Sequence, residues 1–89
     1  MKKSRRRDQW DNFSPMVEEH IDSYTIQQYG DMPNDQASGF TPEEVASHIK
    51  RYCNRVGKNA RGIEEQKRDC LKMAHYACIL YFKITGEEK

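Results

Sequence analysis

The stretch from Thr41 to Phe82 constrains this chain more than any other. Two segments with helical periodicity follow one another across a short basic turn, which predicts a helical hairpin. Thr41-Pro42-Glu43-Glu44 opens the first segment as a capping box. The Thr41 hydroxyl can accept from an orphan backbone N–H, Pro42 suits the first helical position, and Glu44 can reach back to the cap. Val45, Ile49, Tyr52 and Val56 then recur at i, i+4, i+7 and i+11 as a single apolar stripe. Gly57 is placed to be a left-handed C-cap, so this helix is expected over about 42–56.

The second helix of the hairpin is expected over about 63–84, with Glu64, Glu65 and Asp69 in its early turns and Gly86 as its stop. Leu71, Ala74, Cys78 and Tyr81 share one direction on it, while Tyr76, Ile79, Leu80 and Phe82 crowd the rest of the later turns. A helix apolar almost all round must be covered on more than one side. An earlier helix is expected over about 15–29, with Ser14 as cap, Pro15 at the first position and Gly30 as the stop. Within it, Ser23-Tyr24-Thr25-Ile26 suits a strand equally well by propensity. Before it, residues 1–13 read as a flexible basic arm with Trp10 and Phe13 as anchors, and Gly30–Phe40 reads as a loop. The fold expected is therefore all-α: a hairpin with a third helix packed across it, residues 14–86 making one domain. Its core is expected to hold Val17, Ile21, Val45, Ile49, Tyr52, Val56, Leu71, Ala74, Cys78 and Tyr81.

Eighty-nine residues, of which 36% are hydrophobic and 33% charged, allow only a small core. A second copy is a common way to cover what such a core leaves open, so self-association through the last helix, by Tyr76, Ile79, Leu80 and Phe82, is expected. The formal net charge of +1 hides strong blocks. Lys2, Lys3, Arg5, Arg6 and Arg7 open the chain; nine acids and no Lys or Arg lie between Asp8 and Ile49. Lys50, Arg51, Arg55, Lys58 and Arg61 then fall within twelve residues that contain no acid. Segregation of this kind produces local fields that the net charge conceals. The charged start leads into Asp8-Gln9-Trp10-Asp11, unlike a secretory leader, and no apolar run is long enough to span a membrane. Three cysteines placed in helices then suggest reduced thiols in a cytoplasmic protein.

Four constellations invite a chemical reading. Cys70, His75 and Cys78, with Cys53 on the facing helix, are possible zinc ligands. However, Cys70 and His75 lie roughly 140° apart on a helix, and structural zinc draws its ligands from tight turns. Buried core cysteines and no metal or cofactor are expected instead. Glu19-x-x-Asp22 and Glu65-x-x-x-Asp69 resemble in part the acidic motifs of MazG-type all-α nucleotide pyrophosphohydrolases. The E-x-x-E element of that family is missing, so a catalyst is not the expectation. Cys–His pairs lack any accompanying oxyanion signature. The fourth constellation is the basic turn: Arg51, Arg55 and Lys58 share one face at i, i+4 and i+7, with Arg61 and Arg68 beyond. Guanidiniums so placed can grip phosphates of a nucleic acid or nucleotide, or pair with Glu64, Glu65 and an acidic first helix folded over them.

Gln28-Tyr29-Gly30-Asp31, His48-Ile49-Lys50-Arg51-Tyr52 through Arg55 and Gly57, and Arg68-Asp69-Cys70-Leu71-Lys72-Met73-Ala74-His75-Tyr76-Ala77 give residues 21–82 a pattern that resembles small helical proteins encoded by phages and prophages. That resemblance implies an accessory factor that binds or inhibits. Two binding modes follow: an anionic partner at the basic turn, or a host protein met by the acidic 8–44 region.

Overall fold

The computed structural model describes residues 4–30, 39–58 and 62–86, and every regular element among them is helical. Helix α1 spans Arg5–His20 and continues through a π-helical turn, Ile21–Thr25, into the short α2, Ile26–Tyr29. Helix α3 spans Pro42–Lys58 and α4 spans Ile63–Thr85. The last two form the hairpin, and the α1–α2 rod lies across α4.

The rod begins ten residues earlier than the Ser14-Pro15 signal suggests. Ser4 is the cap: its side chain accepts from the Arg7 N–H at 3.0 Å, and its carbonyl accepts from the Asp8 N–H at 3.0 Å. Asp8 in the first turn suits the positive end of the helix dipole, and Arg7 pairs with Asp11 at 3.1 Å one turn apart. The expected arm is therefore helical from Arg5 onward, and Pro15 sits inside the helix, not at its start. Pro15 has no N–H, so the Asp11 carbonyl loses its regular helical donor there. Gly30, at φ 86°, ends the rod, its N–H bonded to the Ile26 carbonyl at 2.8 Å.

The capping box of α3 forms as its sequence dictates. The Thr41 N–H donates to Glu44 Oε1 at 2.8 Å and the Glu44 N–H donates to Thr41 Oγ1 at 3.1 Å. The Thr41 backbone N–H above all, and then the Thr41 side chain, stabilise the ionised Glu44 carboxylate and lower its pKa. At the other end Gly57 continues the helix to Lys58 and does not cap it. The stripe on α3 faces α4: Val45 and Tyr52 are buried, Ile49 and Val56 half-buried. Full burial of Val45 contributes roughly 1.5–3 kcal/mol.

The phase of α4 differs from expectation. Among the side chains that meet α3 are Asp69, Met73 and Tyr76. Tyr76 packs on His48 and Tyr52 with ring centroids 5.5 and 5.9 Å apart, and Met73 Sδ accepts from Cys53 Sγ at 3.3 Å. Cys78 and Tyr81, assigned to the core from their spacing, point outward, Tyr81 being 58% exposed. All three cysteines are free and exposed, which corrects the expectation that they are buried. A helix with apolar residues on nearly every side has no single stripe to set its rotation. The ring contacts of Tyr76 and the ion pair of Asp69 set it here. The end of α4 follows expectation, Gly86 adopting the left-handed conformation with its N–H on the Phe82 carbonyl at 2.9 Å. No helix among the described residues is long and apolar enough to cross a membrane.

Candidate anion-binding surface

The cations proposed to grip phosphate divide into two groups in the structure, while Arg61 lies outside the described residues. Arg51 and Lys58 are exposed on the second half of α3 beside the exposed Lys50, and none of the three has an acidic partner among the described residues. The Arg51 guanidinium donates to His48 Nδ1 at 2.9 Å, and that imidazole is stacked between Phe40 and Tyr76. A stacked neighbour narrows the rotamers open to Arg51 and holds its charge near one position. No acid lies on α3 beyond Glu44, so the helix itself supplies no negative charge on this half.

Arg55 and Arg68 are engaged within the fold. Arg55 Nη2 lies 3.5 Å from Oδ1 of Asp69, a carboxylate that is 3% exposed. That oxygen accepts no hydrogen bond, so the positive charge of Arg55 is what compensates its burial. Arg68 donates to Glu65 at 3.0 Å, and Lys67 pairs with Glu64 at 3.5 Å. The hairpin's cations thus pair with acids in the early turns of α4. Of the acids of the rod, Glu18, Glu19 and Asp22 are exposed, and Glu19 shares a groove with Arg68.

Two tyrosine rings organise the remaining charge. Arg51, Arg55 and Lys72 stand over Tyr52 at 5.8, 5.4 and 5.4 Å from its centroid, and Arg68 and Lys72 stand over Tyr24 at 5.2 and 5.3 Å. Lys72 therefore bridges a ring from the rod and a ring from α3, each contact contributing on the order of 0.5–2 kcal/mol. Sequence reasoning missed Lys72 and Tyr24, and it missed that Asp69 pairs with Arg55. The i, i+4 spacing of Arg68 and Lys72 was a signal that two cations share a face; which rings they would meet is a tertiary fact.

Beside Arg68 an open groove of about 710 Å³ runs between α1 and α4, with Met16 and Leu71 as apolar walls and Glu19, His20 and Tyr24 as polar ones. His20 is buried and stacks on Tyr24 at 5.0 Å, nearly parallel. Burial above all, then the positive neighbours His75, Lys72 and Arg68, holds its pKa below the ordinary imidazole value. A neutral histidine at the foot of a groove offers one donor and one acceptor.

Among the described residues no three His, Cys, Asp or Glu side chains come together to hold a metal ion. The acids in the incomplete MazG-like spacing are separated accordingly. Asp69 is buried against Arg55, Glu65 binds Arg68, and Glu19 and Asp22 are exposed on the rod. Comparison with family models, with curated proteins and with solved structures returned no match.

Proposed function

We propose that this chain is a non-catalytic binding module that contacts nucleic-acid or nucleotide phosphate through the second half of α3. The observation that carries this is the exposed trio of Lys50, Arg51 and Lys58, without an acidic partner among the described residues, on a helix whose remaining arginine, Arg55, is tied to Asp69. Arg68, at the rim of the groove, extends the surface toward α1. The resemblance of residues 21–82 to small phage and prophage proteins supports an accessory role over a metabolic one. Three free, exposed thiols suit a reducing compartment, which favours the cytoplasm.

Binding of a labelled single-stranded oligonucleotide, followed by polarisation across a salt series, tests the proposal. Three phosphate contacts give a log–log salt slope of roughly −2, a loss of roughly 20-fold between 50 and 200 mM salt. Arg51→Ala combined with Lys58→Ala should remove most of that slope while the helical circular dichroism stays unchanged. No binding at low salt would overturn the reading. The alternative, an inhibitor of a host factor that docks through the acidic 8–44 region, would replace it under one result: Glu18→Lys with Asp22→Lys abolishes a host-lysate pulldown that the α3 substitutions leave intact.

A further inference from the structure

Helix α4 has three faces, and the fold covers two. Asp69, Met73 and Tyr76 meet α3, while Arg68 and Leu71 border the groove with α1. The third face carries Ile63, Lys67, Cys70, Ala74, Ala77, Tyr81 and Ile84. The steps between these residues alternate four and three along the whole helix, the spacing that keeps one seam facing a partner helix. Six of the seven are exposed and Ala74 is half-buried; Ile63 and Ile84, at the two ends, are 69% and 68% exposed. Over Ile63–Ile84 the seam is roughly 32 Å long at 1.5 Å per residue.

We infer that this seam docks on the same seam of a second copy of the chain, with the two α4 helices antiparallel. Side-chain size argues for self-pairing. Large residues stand at both ends (Ile63; Tyr81 and Ile84) and small ones between them (Cys70, Ala74, Ala77), so the pattern reads nearly the same in either direction. Reversed against itself it sets large beside large and lets the backbones approach closely at the centre. Charge argues against the parallel arrangement, which stacks Lys67 on the Lys67 of the other copy, whereas the antiparallel one separates these two ammoniums and opposes the helix dipoles. Exposure argues for a partner: large apolar side chains stand bare at both ends of the seam, Ile63 at 69%, Tyr81 at 58% and Ile84 at 68%. The seam differs from the one expected from sequence alone, because Tyr76 is packed against α3 and Ile79, Leu80 and Phe82 are half-buried. It is also separate from the phosphate surface proposed above, since Lys50, Arg51 and Lys58 lie on α3.

Sedimentation equilibrium of the full chain should give twice the 10.5 kDa chain mass. Ala77→Arg, at an exposed position where arginine is a good helix former, should weaken association at least tenfold and leave helical content unchanged. Orientation is read from single cysteines in a chain with Cys53, Cys70 and Cys78 changed to Ser. Under a short bismaleimide, Ala74→Cys at the centre of the seam should cross-link to a dimer, and Ile84→Cys at its end should not. A monomer at high concentration, or a dimer indifferent to Ala77→Arg, would overturn the interface. Equal cross-linking by both single cysteines would overturn the antiparallel orientation.

Discussion

Where α4 meets α3, the contact is made by an apolar stripe on α3 whose first turn is fixed by reciprocal bonds between Thr41 and Glu44. Where α4 meets the rod, the contact is polar. A neutral His20 lies on Tyr24, Arg68 and Lys72 lie over the same ring, and an open groove remains alongside. The rod itself carries a proline in its interior and a π-helical turn, both departures from a regular helix. The first contact excludes water through shape. The second depends on ring faces and charge that water can reach, so it should answer to pH and salt while the first does not.

Val45→Asp strikes the apolar contact at a fully buried side chain and introduces a charge there. The cost should be at least about 4 kcal/mol, a large share of the stability of a small domain, and the helical signal should be lost at 25 °C. Retained cooperative melting would mean that α3 does not pack with Val45 inward.

The α3–α4 contact also holds the Arg55–Asp69 pair, whose two halves should behave unequally. Arg55→Ala strands a buried carboxylate and should cost about 3 kcal/mol. Asp69→Asn removes the buried charge and leaves Arg55 partly in water, so it should cost much less. Denaturant titration of both variants measures the difference. Equal losses would show that the pair acts through packing alone. The same asymmetry makes Arg55 a poor probe of phosphate binding, and Arg51 and Lys58 better ones.

On the rod, Pro15→Ala should return a donor to the Asp11 carbonyl and remove the steric clash of the ring. The gain should be about 1 kcal/mol or more, several degrees in Tm for a domain of this size. If the helix began at Pro15, alanine there would change nothing or lower the Tm slightly.

The smallest effect is the pH response of the polar contact. The folded-state pKa of His20 lies below the unfolded one, so the unfolded chain binds the extra proton first. Stability from this group is complete above the ordinary imidazole range and falls as the pH drops through it. His20→Phe keeps a ring on Tyr24 and removes the titration, so the slope of Tm against pH in that window should flatten. An unchanged slope would assign the response to other groups.

How much of this was legible in the sequence follows from how local each signal is. The Thr41–Glu44 box, the stripe from Val45 to Val56 and the stop at Gly86 involve residues within a few turns of one another, and all three form. The rotation of α4 was not legible, because a helix apolar on most sides satisfies several phases. The contacts that choose among them, Tyr76 on His48 and Tyr52 and Asp69 beside Arg55, join different helices. Ser14-Pro15 misled for a related reason. Proline at a first turn and proline inside a helix look alike in sequence, and the earlier cap at Ser4, with Asp8 behind it, is an equally ordinary start. Of the candidate site, the clustering of Arg51, Arg55 and Lys58 could be read, but not that Arg55 is tied to a buried acid while its two neighbours remain open.

The π-helical turn at Ile21–Thr25 also bears on how this chain can vary in length. Such a turn holds one residue more than a regular helical turn, so it is a place where the rod can lose a residue and still close its hydrogen bonds. A chain shortened by one there would stay helical throughout. Because the wide turn and the regular turn each close about one revolution, everything before the deletion would keep nearly its present direction around the rod axis, with Met16 and Glu19 still facing Arg68 and Leu71. The groove thus tolerates the loss of one residue at this turn, whereas the same loss in the regular part of α1 would swing what precedes it by about 100°.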